Sequence, residues 1–285
     1  MSTTTTLRVN TPPGFRVDAA ALQPAALADL SVAEIERIVL PAGNQRCVVG
    51  DLFDVLRSDA AVGSEPAVDA SRSGAALLIE GAGPWLDRVG AQLGEGHLVV
   101  HGSTGDYTGL RMTGGVLRIE GNAGHFTACE MRGGRLTVNG DSGDFAAGAL
   151  TGDMEGMTGG TLTIHGNAGA RLADRMRRGL VLVGGDAGDF AAARLVAGTV
   201  GIAGQLGSHY AYGMRRGTLL LARQPASVPP TFTAGGHGFD VFWALLARSL
   251  ADEIAPFSQW RAARLPARLT GDLAVDGRGE ILIVG

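Results

Sequence analysis

Histidine is the side chain that most often handles protons and metals near neutral pH, and the chain has six. His101 and His165 fall in one column with Glu120 and Asn139 when the sequence is written in its own period. That set suits acid–base or ligand chemistry, or else a stack of hydrogen bonds at strand ends, which is the preferred reading. His125 stands in register with Asp106, Asp144 and Asp189, and stacked acidic turns suit calcium. The nine-residue tandem of calcium-binding β-rolls is missing, so calcium is not expected. Cys47 and Cys129 form no Cys-x-x-Cys, which leaves a disulfide framework, a zinc ribbon and an iron–sulfur cluster without ligands.

All 24 basic residues are Arg, so no phosphate loop ending in Lys exists. No Gly-x-Ser-x-Gly occurs, and the many Gly-x-x-Gly pairs lack the strand–turn–helix context of a dinucleotide site. No nucleophile, base and orienter are brought together, and neither a catalytic residue nor a metal ligand is assigned. One charged feature remains. Arg132, Arg177 and Arg215 each follow a Met directly, Arg178 and Arg216 sit one place further on, and Arg111 and Arg175 precede a Met. Stacked in register, these guanidinium groups form an anion-binding strip for a polycarboxylate or an acidic partner. The alternative is a solvated corner whose Arg stems shield the Met column.

The elements that would stack them are written in a repeat. Gly96, Gly115, Gly134, Gly160, Gly179, Gly198 and Gly217 are separated by 19, 19, 26, 19, 19 and 19 residues. Gly-x-x-Gly pairs follow in step, from Gly102/Gly105 to Gly204/Gly207. After each first Gly comes an alternating trio such as Leu117-Arg118-Ile119 or Leu162-Thr163-Ile164, with aliphatic outer positions. A second column reads Tyr107, Phe126, Phe145 and Phe190 and breaks at Arg171 and His209; a third reads Met112, Met131, Met157, Met176, Leu195 and Met214. Three apolar columns predict three walls around one interior. A helix would lose roughly 1 kcal/mol at every such Gly, whereas tight corners need it. The pattern predicts an all-β core, a right-handed parallel β-helix of about seven 19-residue coils with small α/β caps at both ends. At about 4.8 Å per coil, the rod would be roughly 34 Å long.

Three regions follow: an N-terminal capping region over 1–72, the β-helix over 73–223, and a C-terminal helix and hairpin over 224–285. Residues 1–6 are expected to be a disordered start, Leu7–Val9 an edge strand, and Val48–Val55 a strand and turn closing the rod's end. Ser31-x-x-Glu34 is a capping box. The longer coil carries an insertion over Ala146–Gly156, read as a docking or packing element with Glu155 as its docking candidate. Past the Pro-rich 224–230, Phe239–Leu250 reads as an amphipathic helix, and Leu269–Val275 with Ile281–Val284 as a hairpin about Asp276-Gly277. Trp243, Phe257 and Trp260 fall in this tail, either as a cap packed on the rod or as partner-docking residues.

Net charge is −4, which argues for neither nucleic acid nor membrane. No run approaches 18 apolar residues and no apolar segment follows basic residues at the start, so a cytoplasmic location is expected.

Gly-Gly-x-Leu-x-Ile-x-Gly-Asn-Ala-Gly, at Gly114–Gly124 and Gly159–Gly169, resembles the GXGXG-type β-helix. That fold is shared by the C-type subunit of formylmethanofuran dehydrogenase and the C-terminal domain of the glutamate synthase large subunit. Gly50–Val55, Gly156–Gly160 and Met214–Thr218 make the C-type subunit the nearer resemblance, over about residues 7–223. The resemblance implies a non-catalytic β-helical subunit with neither metal–pterin cofactor nor clusters. It implies a hetero-oligomer with amidohydrolase-like and formyltransferase-like subunits and a B-type subunit. The Lys-free, Ala- and Arg-rich composition favours the bacterial formyltransferase/hydrolase complex. That assembly moves a formyl group from tetrahydromethanopterin to a methanofuran analogue and releases formate. Methanofuran-type cofactors carry glutamyl tails, which the Arg strip would suit. One alternative is the C-type subunit of a tungsten or molybdenum formylmethanofuran dehydrogenase. Others are a glutamate-synthase-like spacer, for which 285 residues leave no room, and a free-standing ligand-binding β-helix.

Overall fold

A computed structural model describes residues 4–58 and 74–284. The expected boundary at 72/73 and residues 1–3 of the N-terminal start lie outside the described residues. Thirteen strands form one sheet. In chain order they are β1 (Thr4–Val9), β2 (Phe53–Ser58), β3 (Ala76–Ala82), β4 (His97–Gly102), β5 (Val116–Ile119), β6 (Arg135–Val138), β7 (Thr161–Ile164), β8 (Leu180–Val183), β9 (Thr199–Ile202), β10 (Thr218–Leu221), β11 (Thr233–Ala234), β12 (Ala267–Gly271) and β13 (Gly279–Ile283). From β3 to β10 the strands pair in parallel in chain order, and the repeat sets their register: Leu98 faces Leu117, Leu117 faces Leu136, and so on to Val200 with Leu219. The 26-residue step is absorbed without a register shift, since Leu136 still pairs with Leu162.

Both ends of the chain add to this sheet. Thr4–Thr6 belong to β1, with Thr4 and Thr5 buried, so the expected disordered start is overturned at those positions. β-branched Thr suits a pleated, half-buried surface. β1 is no edge strand either: it pairs antiparallel with β2 and parallel with β3, leaving β2 at the edge. Residues 49–52 form a short helix instead of continuing a strand, and the Ser31/Glu34 capping box opens another over Val32–Glu36. At the other end β13 pairs in parallel with β10, placing Ile281 on Leu219, and β12 returns antiparallel. The hairpin is real but wider than expected, because Leu273–Val275 is a 3-10 turn.

Only one wall of each repeat is a regular strand. The Gly-x-x-Gly corner supplies single parallel bridges that link Ala123, Ser142, Ala168, Ala187 and Leu206 in sequence. The remaining wall is a chain of turns with left-handed backbone at alternate residues, as at Phe126 (φ 59), Ala128 (φ 54) and Glu130 (φ 53). Left-handed backbone is uncommon for residues other than Gly, yet it recurs in step at Phe145, Ala147, Arg171, Ala173 and Arg175.

The expected interior is therefore two-thirds right. The strand column and the Met column are fully buried, but the aromatic column is only half-buried. It stacks on itself instead: Tyr107 on Phe126 and Phe126 on Phe145, with centroids 5.0 and 4.9 Å apart. The third interior column is made of small residues, Ala128, Ala147, Ala173, Ala192 and Ala211. Nor does the aromatic column break. Arg171 lies over Phe145 and Phe190, and His209 stacks on Phe190, so flat polar groups continue it.

Gly124 sits where the backbone of one repeat presses on the last, and an added Cβ would lie 2.6 Å from the carbonyl carbon and oxygen of Gly105. Gly124→Ala should lower the unfolding free energy by about 1–3 kcal/mol in chemical denaturation. Gly14→Ala, with nothing within 4 Å of the new Cβ, should change it by no more than about 0.5 kcal/mol.

Candidate functional site

The turn wall ends each repeat on the buried Met, and the next residue leaves the interior. Arg132, Thr158, Arg177, Val196 and Arg215 each donate their backbone N–H to a carbonyl one repeat earlier, at 2.7–2.9 Å. Arg278, from the loop before β13, caps the row on the Arg215 carbonyl at 2.7 Å. The arginines thus share one edge, as their spacing predicts, but they occupy every second repeat. Successive guanidinium stems are about 10 Å apart, twice the strand spacing. Arg132, Arg177, Arg178, Arg215 and Arg216 are all exposed.

Arg177 is not free, because the insertion reaches it. Glu155 pairs with Arg177, Asp153 pairs with Arg111 at 3.3 Å, and Arg175 donates to the Asp153 carbonyl. Buried Glu130 holds the base of the insertion, accepting from Arg111 Nε at 2.7 Å and from the Leu150 N–H at 3.1 Å. Two of the sequence candidates, Arg177 and Glu155, are therefore each other's partners. Arg132, Arg178, Arg215 and Arg216 have no ion pair among the described residues.

The stacked polar columns do a different job. Asn122, Asp141, Asn167 and Asp186 each accept the backbone N–H of the next member of the ladder, at 2.7–2.9 Å. In the neighbouring column Asp106 accepts from His125 N–H, His125 Nδ1 from Asp144 N–H, and Asp144 from Ala170 N–H. These side-chain acceptors satisfy corner N–H groups that the isolated bridges leave over. His101 Nε2 lies 3.6 Å from Glu120. The pKa of His165 is pushed down, first by burial and then by the Arg118 charge. Burial pushes the Cys129 thiol up to about 12, and its Sγ sits 3.0 Å from the Gly148 carbonyl oxygen. Among the described residues no three His, Cys, Asp or Glu are placed to hold a metal ion, and no helix is long and apolar enough to cross a membrane.

The tail corrects the docking candidates. Trp243 and Phe257 are fully buried, packed with Leu182, Leu220 and Leu282 on the outer face of the sheet. Their side chains join the tail to the sheet. Trp260 is half-buried, edge-on to Phe257 at 5.0 Å. The tail helix that carries Trp243, Asp240–Ser249, instead exposes Val241, Phe242 and Leu245. A reading with one apolar face, through Phe239, Phe242, Trp243, Leu246 and Leu250, misses Val241 and Leu245 and leaves Phe242 exposed where burial was expected.

A glycine-cornered repeat, its strands stacked in parallel and its corners bonded by polar ladders, defines a class of stacked-repeat β protein. Along nearly its whole length the chain is similar to a protein of known structure. It superposes on a chain of the crystal structure of the formyltransferase/hydrolase complex (FhcABCD) from Methylorubrum extorquens in complex with methylofuran, with a TM-score of 0.84. Identity is 37%, over 98% of this chain and 99% of that one. The C-type subunit of that organism's formyltransferase/hydrolase complex is 40% identical over 100 residues, an alignment spanning 35% of this chain and 32% of that protein. No protein-family model matches the chain. The chain belongs to the family of C-type subunits of the formyltransferase/hydrolase complex.

Glu130→Ala should release the base of the insertion, costing about 1–3 kcal/mol and speeding hydrogen exchange at Leu150 by about tenfold or more. Glu130→Gln, which can still accept from Leu150, should change exchange far less.

Proposed function

We propose that this chain is the non-catalytic C-type subunit of a formyltransferase/hydrolase complex, and that it scaffolds the catalytic subunits. Its partners are amidohydrolase-like and formyltransferase-like subunits and a B-type subunit, in a cytoplasmic hetero-oligomer. The complex passes a formyl group from tetrahydromethanopterin to a methanofuran-type cofactor and releases formate. The full-length likeness to a chain of the FhcABCD structure carries this reading. The absence of any assigned reacting constellation in the sequence agrees with it.

The scaffold is a right-handed parallel β-helix of about seven 19-residue coils, supported by the in-register strands and by hydrogen bonds between equivalent residues of successive repeats. Its Arg edge, with Arg132, Arg178, Arg215 and Arg216 open and Arg177 clasped by Glu155, guides the glutamyl tail of the methanofuran-type cofactor. Guanidinium groups about 10 Å apart suit a chain of carboxylates better than a single anion. Trp260 and Glu155 remain docking candidates beside the exposed Val241, Phe242 and Leu245.

Two measurements test this. Purified from its native source, the chain should elute with an amidohydrolase-like and a formyltransferase-like subunit; a stable monomer active by itself would refute the assignment. Charge reversal at Arg178, Arg215 and Arg216 should weaken binding of a short polyglutamate by about tenfold per residue at low salt, less at 0.15 M where the Debye length is about 8 Å. Unchanged polyglutamate binding would remove the cofactor-tail role and leave the subunit assignment standing.

A further inference from the structure

We propose that the cleft between the sheet and the C-terminal tail binds a planar organic carboxylate. The cleft has a volume of about 420 Å³, within the range of small-molecule sites. It lies where one column changes character. The column at the end of each strand reads His101, Glu120, Asn139 and His165 in four repeats, then Gly184, Ala203 and Ala222 in the next three. These small residues line the cleft, and Val284 after β13 closes it.

The facing wall is built from Pro256 and Trp260. Trp260 is held edge-on by Phe257 and lies 5.8 Å from buried Trp243, so its indole is fixed before any ligand arrives. A rigid aromatic wall over an aliphatic floor selects a flat molecule. Charge selects its other end. Arg223 and Arg264 line the same cleft, both are exposed, neither has an ion pair among the described residues, and no acidic side chain lines the space. Two open guanidinium groups beside an aromatic face suit a carboxylate, which each can bind through paired N–H donors. The flat wall favours a free small molecule over an Asp or Glu side chain of a partner, which offers a carboxylate without a planar body. This inference does not depend on the Arg edge or on the subunit assignment.

The test uses the full chain with naphthalene-2-carboxylate, and naphthalene-2-carboxamide as the uncharged match, followed by isothermal titration. The carboxylate should bind at least about tenfold more tightly than the amide, and R223Q/R264Q should abolish that preference. A222L, which fills the floor, should weaken both ligands. Gly184 is avoided, because an added Cβ there would lie 2.5 Å from the His165 carbonyl oxygen. Equal binding of carboxylate and amide, or no effect of R223Q/R264Q in a variant with unchanged circular dichroism, overturns the proposal. So does the absence of carboxylate binding to the unmodified chain. Repeating the titration on the chain with its co-purifying subunits separates the two sources. Retained carboxylate binding supports the free ligand, and binding lost on assembly overturns it in favour of an interface with a partner.

Discussion

Each residue of the repeat stacks on its own counterpart. Gly121 donates to the Gly102 carbonyl, Gly140 to Gly121, Gly166 to Gly140, Gly185 to Gly166 and Gly204 to Gly185, all at 2.8–3.0 Å. A column is therefore a line of like groups about 4.8 Å apart, and whatever repeats must tolerate itself at that distance. Flat rings tolerate it and stack. Like charges do not, since two of them at such a distance repel by roughly 1 kcal/mol even in water. The chain answers by alternation: Ser103, Asn122, Asp141, Asn167, Asp186 and Gln205 never place two carboxylates on neighbouring repeats. The row after the Met column does the same with Thr113, Arg132, Thr158, Arg177, Val196 and Arg215. Where arginines do fall on successive repeats, at Arg175 and Arg194, one donates to the Asp153 carbonyl and the other to buried Asp174. The spacing of the Arg edge is thus a consequence of stacking.

This constraint also explains what could be read without a structure. Residues that face their own copies leave a period in the sequence, and the strand column, the Met column and the Arg edge were legible for that reason. Residues that face something else leave none. Glu155 meets Arg177 only because the seven-residue insertion folds back on the turn wall, and nothing in the spacing records that return. The fate of Trp243 and Phe257 was hidden for the same reason: their partners Leu182, Leu220 and Leu282 belong to another part of the chain. The mid-strand Gly201 was the missed signal, since a Cβ there would lie 2.7 Å from Phe257 Cε1. The left-handed wall was invisible from another cause. Its positive φ values fall on Phe, Ala, Glu and Arg, where sequence rules expect Gly or Asn, and only register with the neighbouring repeats holds them there.

Between Gly96 and Gly217, departures from the 19-residue period fall in the second half. From His97 to Asn139 the repeats run without interruption, and the outer sheet residues Val99, Arg118 and Thr137 are only half-buried. Beyond them come the insertion, the change from His165 to Gly184 at the strand ends, the covered outer face and the returning strand β13. These features support one another. Small residues at the strand ends give the tail room to cross, the tail's aromatics bury Leu182, Leu220 and Leu282, and β13 ties it to β10 by a parallel ladder. A stacked repeat can change one repeat at low cost, because each touches only its neighbours. Specialisation then spreads along a few successive repeats without disturbing the rest. The regular half carries Arg132 alone of the open arginines of the Arg edge, while the irregular half carries Arg178, Arg215 and Arg216, the exposed face of the tail helix and the Trp260 cleft.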